Sequence, residues 1–156
     1  MSGKIVGSFV VLTALIAGVA IYWLQLYAFY DEVSADDAAI TLVNVATGQP
    51  EPIVISGFEG IDATSSPLRY RACFETGQSL ATLTETYAAY PEAAPLTGPG
   101  WFGCYDAVTI GEALERGEAL AFLGQRNISD GVDLVVAVFP DGRAFAWRQL
   151  NEKYQD

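Results

Sequence analysis

The pattern of apolar and polar positions divides the chain at residue 30. Residues 5–30, IVGSFVVLTALIAGVAIYWLQLYAFY, carry no charge, and only Gly, Ser, Thr and one Gln interrupt the apolar and aromatic side chains. As a helix this run is roughly 39 Å long, more than the ~30 Å hydrocarbon core of a bilayer, so it can span with some tilt. The pattern therefore predicts a transmembrane helix over 5–30, preceded by a short N-terminus over 1–4. A cleavable signal peptide competes with this reading, because Lys4 supplies a positive n-region and Val33-Ser34-Ala35 has small-residue spacing. The length favours an uncleaved anchor, since h-regions usually run about 7–15 residues.

After the span, DEVSADDA over 31–38 is polar and acidic and reads as a solvated linker, leaving an α+β domain over 39–156. AITLVNV, 39–45, alternates like a strand, and ATGQPEP breaks it with Gly48, Pro50 and Pro52. PIVIS is a short second strand, GFEGIDATSSP a loop, and LRYRACF a third strand with Arg69, Arg71 and Cys73 on one face. Thr76 is placed to cap a helix running to Tyr90, with Leu80, Leu83, Tyr87 and Tyr90 as its apolar face. Pro91 and Pro95 end it, and residues 91–103 hold too much Pro and Gly for regular structure. Asp106 caps a second helix with Ile110 and Leu114 on its face and Gly117 at its end. ALAFLG and VDLVVAVF are strands, and PDGR turns the chain into a final strand, AFAWRQL. The expected domain is an antiparallel sheet of about five strands with two helices packed on it.

Charge adds topology. Lys4 is the only charged residue before Asp31, so the chain's −11 becomes −12 on residues 31–156 once that lysine is set aside. Lys and Arg stay cytoplasmic, which places the N-terminus inside and the domain outside, in a bacterium the periplasm. Trp23, Tyr27, Phe29 and Tyr30 cluster at the outer end, where aromatic rings favour the membrane interface. So acidic a domain repels nucleic acid and anionic headgroups, and its natural partners are cationic.

The chain has no histidine, which excludes a Ser-His-Asp triad, a Cys-His pair and imidazole ligation. No C-x-x-C, phosphate loop or nucleophile elbow is present, so no catalytic residue, metal or cofactor is expected. Cys73 and Cys104 are the only cysteines. An oxidising compartment favours a disulfide between them, with free buried thiols or a reactive Cys73 as the alternatives. Arg69 and Arg71 read either as a small anion-binding patch or as neutralisers of neighbouring acids. Trp101 and Phe102, between Gly100 and Gly103, read either as an aromatic anchor for a partner or as a plug over the core. In the span, Gly7, Val11, Ala14, Gly18, Ile21 and Gln25 share one face, where small residues let another helix approach and Gln25 can hydrogen-bond across.

The motifs QLYAFY, GQPEPI, SSPLRYRACF, SLATLTETY, PGWFGCYD and ALAFLG resemble an uncharacterised family of Rhodobacter-like alphaproteobacteria, a domain of unknown function. The resemblance implies a periplasm-facing membrane protein and transfers no catalytic residue. Together these readings lead us to expect a non-catalytic, single-span accessory subunit of an inner-membrane energy-transducing complex, respiratory or photosynthetic. Its helix would dock on a larger integral-membrane complex, and its acidic domain would bias a basic c-type cytochrome. The alternative is a free-standing assembly factor, or a module that binds a ligand or client.

Overall fold

The structure, a computed structural model, describes residues 2–154 as two units that divide between Tyr30 and Asp31. The first is a single α-helix, α1 (Gly3–Leu26), long and apolar enough to cross a membrane. None of its residues is buried.

The second unit is α+β. Its elements in order are β1 (Asp31–Val33), β2 (Thr41–Val43), β3 (Pro50–Pro52), β4 (Ser56–Asp62), β5 (Arg71–Glu75), α2 (Leu80–Thr86), α3 (Ala107–Glu115), β6 (Leu120–Ser129), β7 (Val132–Val138) and β8 (Arg143–Leu150). Six strands form one sheet in the order β1-β4-β5-β8-β7-β6, and β2 and β3 form a separate pair. Every pairing is antiparallel.

The end of the chain follows its pattern closely. All seven residues of β7 are buried, which explains its nearly unbroken apolar run. Pro140 to Gly142 turn the chain between β7 and β8, where Gly142 holds φ +92 and its N–H donates to the Phe139 carbonyl. α3 starts at Asp106, whose carboxylate accepts from the N–H groups of Val108 and Thr109, and the chain leaves it through Gly117 at φ +70. That left-handed φ is one glycine adopts without a steric penalty.

Five expectations are corrected. The acidic linker contains β1, whose Asp31, Glu32 and Val33 pair with Asp62, Ile61 and Gly60. The segment read as a loop contains β4, and PIVIS is not a strand of its own. Glycines hid β4: Gly57 sits at φ +59 beside a register shift, and a Cβ on Gly60 would lie 2.5 Å from the Phe58 ring. Both are features of a bulged strand, which a pattern of alternation misses.

The LRYRACF strand is split, because Pro67–Arg69 is a 3-10 turn and only Arg71–Glu75 pairs. Arg69 therefore does not share a strand face with Arg71. The first helix is half the expected length and is capped by Ser79, whose hydroxyl accepts from the Thr82 N–H, rather than by Thr76. It stops because residues 87–90 run extended and cover the β6 edge. There the Tyr90 N–H donates to the Ala121 carbonyl at 2.8 Å, and the Leu123 N–H to that of Ala88 at 2.9 Å. A bare edge would leave those groups unpaired.

The sheet buries both faces. One carries Ala72, Phe74, Val136, Val138, Ala144 and Ala146 in a core shared with Leu42, Leu83 and Tyr87. The other carries Cys73, Phe145 and Trp147, with the Tyr105 ring edge-on to Phe145.

Candidate functional site

Cys73 on β5 and Cys104, just ahead of α3, form a disulfide with a Cα separation of 6.3 Å. No free cysteine remains among the described residues, so the residue that looked most like a nucleophile is one end of a staple.

Arg71 lies on the same face of β5 and is buried. Its guanidinium donates to the carbonyls of Leu96 (2.8 Å), Leu68 (2.7 Å), Tyr70 (2.6 Å) and Thr97 (3.1 Å), and it lies against the Tyr105 ring. The planar fork matches several oxygens at fixed angles, and here it holds an irregular loop in place. Arg148 pairs with Asp62 at 3.0 Å and Arg126 with Glu152 at 2.6 Å.

Trp101 and Phe102 meet edge-on and differ in exposure. Phe102 is buried and Trp101 is 38% exposed, and both line a cleft of about 460 Å³ together with Glu32 and Glu59. The six stripe residues of α1 keep the helical spacing that gathers them into an arc of roughly 80°. A Cβ on Gly7 or Gly18 would meet no atom within 4 Å.

Pattern reasoning missed one polar cluster. Asp133, fully buried on β7, accepts from the Asn127 N–H (2.9 Å), the Asn151 side chain (2.8 Å) and the Tyr90 hydroxyl (3.2 Å). Burial and the nearby Asp133 push the Tyr90 phenol up to about 12. Asn127 holds φ +50 to make its contact. The available signal was an aspartate inside the apolar run VDLVVAVF. The carboxylate is closed off by its donors, so its evident role is to tie the β6–β7 turn region to the chain's end. Among the described residues, no group of three or more Cys, Asp or Glu is placed to hold a metal ion.

The structure thus defines a disulfide-stapled α+β domain following an apolar helix. The family model described as a family of unknown function (DUF6446) matches residues 40–156, and the chain belongs to that family. The match begins after β1, so α1 and β1 lie outside it. No curated protein and no solved structure matches the chain.

Proposed function

We propose that this protein is a membrane-anchored, non-catalytic accessory subunit that joins a larger integral-membrane complex through α1 and presents its acidic domain on the outer, periplasmic side. The observation that carries this reading is the face of α1. Glycines inside a helix cost about 0.5–1 kcal/mol relative to alanine, and no neighbouring side chain of α1 itself packs against a Cβ at Gly7 or Gly18. Close approach by another helix would offset that cost.

Retention of the helix is supported by β1. Cleavage after Ala35 would remove Asp31–Val33 from the sheet and expose the β4 edge, a pairing liability. Orientation rests on Lys4 and on the acids that follow the span.

Replacing Gly7 and Gly18 by Leu keeps the helix apolar and should lower the amount recovered with the complex about tenfold, a change of about 1.4 kcal/mol. Pull-down from native membranes in mild detergent measures this, with membrane insertion unchanged. Undiminished recovery would place the contact elsewhere.

Within this reading, the complex is an energy-transducing one, respiratory or photosynthetic, whose basic c-type cytochrome the −12 domain steers. Steering requires that the protein's effect on cytochrome association fade as salt rises. Kinetics independent of salt would remove that half of the proposal.

A further inference from the structure

A groove of about 660 Å³ runs between α3 and the extended segment 89–95. Its α3 side presents Val108, Gly111, Glu112 and Glu115, and its other side presents small residues including Ala93 and Ala94. Three observations bear on what it does.

The irregular wall is tied down from the inside by hydrogen bonds. The buried Gln149 accepts from the Ala94 N–H at 2.8 Å and donates to the Glu92 carbonyl at 3.0 Å. Arg71 holds the carbonyls of Leu96 and Thr97, and Tyr90 is pinned at its N–H by Ala121 and at its hydroxyl by Asp133. A segment too rich in Pro for strand or helix is therefore fixed from the inside by buried polar side chains, and the groove exists before anything enters it. Such preorganisation lowers the ordering cost of binding.

Gly111 sits inside α3, where glycine costs about 0.5–1 kcal/mol relative to alanine. A Cβ there would meet only the Pro95 side chain, at 4.0 Å, an ordinary contact. The chain's own packing thus accepts a larger residue, and what glycine preserves is the open groove. Val108, 68% exposed, and Leu120 stand at its margins as apolar surface.

The charge along the groove has one sign. Glu112 and Glu115 line it, no Lys or Arg does, and the nearby Arg116 pairs with Glu112 and Glu118. The only other polar lining group, Tyr90, already donates its hydroxyl to Asp133. A small polar ligand would need convergent donors and acceptors, which the groove lacks.

We propose that this groove docks a short segment of a partner protein in which apolar side chains alternate with Lys or Arg. The apolar side chains lie over Ala93, Ala94 and Gly111, and the cations meet Glu115 and compete with Arg116 for Glu112. The assignment stands on the domain alone and is independent of the role given to α1.

The test uses the full chain in nanodiscs and matched synthetic peptides of alternating apolar and Lys residues, against the same peptides with Glu in place of Lys. The Lys series should bind and the Glu series should not. Gly111→Leu, which fills the groove, should weaken binding about tenfold or more. Val108→Glu, on an exposed position that cannot disturb the core, should alter it as well, and Trp101→Ala should leave it unchanged. Equal binding of both series, no binding of either, or binding indifferent to both groove variants would overturn the proposal.

Discussion

Replacing Asp133 by Ala should lower folding stability by about 2–4 kcal/mol, since it takes the shared acceptor from three neutral donors and a buried one left unpaired costs about 1–3 kcal/mol. The loss arises on the donor side. The Asn127 N–H, the Asn151 amide and the Tyr90 hydroxyl all point at this fully buried carboxylate, and the Asn151 amide, buried itself, has no water to replace it. Asn127 would also keep its left-handed backbone, φ +50, without the contact that accompanies it. Asp133→Asn keeps an acceptor for the Asn127 N–H and should lose less. Denaturant titration of the full chain, followed by circular dichroism, measures both variants. A loss below about 1 kcal/mol for the alanine variant, the level of an average substitution, would show that the cluster is incidental.

The second large effect is on the staple. Cys73 and Cys104 are 31 residues apart, and in the chain-entropy model a loop of that size is worth about 3–4 kcal/mol. Reduction, or replacement of both cysteines by Ala, should shift the denaturation midpoint by a corresponding amount. The linkage crosses α2 and the Pro-rich loop, so its loss should also loosen residues 91–103 in hydrogen exchange. Non-reducing peptide mapping confirms the pairing first. An unchanged midpoint after complete reduction would contradict the role given to the bond.

What could be read from the sequence follows from how local the signals were. α3 has its cap, apolar face and terminal glycine within a dozen or so residues, and the β7–β8 hairpin has its turn between two apolar runs. Both formed as the pattern predicts. The disulfide was legible by elimination, since only two cysteines exist.

What failed depended on partners far along the chain. Tyr87 and Tyr90 suit a helix face by spacing, but β2 and the β6 edge draw residues 87–90 into extended pairing. β1 consists of residues that read as solvated linker, and it is a strand because β4 lies beside it. β4 in turn is masked by Gly57 and Gly60, whose reasons are a local bulge and the Phe58 ring.

The candidate sites divide in the same way. Arg71 was singled out for its charge, yet its work is defined by carbonyls 25 and 26 residues away. Trp101 and Phe102, equivalent as neighbours in sequence, both line one cleft and differ because Phe102 is buried and Trp101 is exposed. The groove beside α3 could not be read beforehand, because its walls meet only in the folded domain. Gly111, an interior helix glycine, was the single trace it left in the sequence.

The central claim is that α1 joins this domain to a larger membrane complex, and mild-detergent purification of the tagged protein from native membranes tests it most directly. Mass spectrometry of the purified material should show one integral-membrane complex present in fixed stoichiometry. Migration of the protein alone, or only with changing sets of immature clients, would contradict the claim.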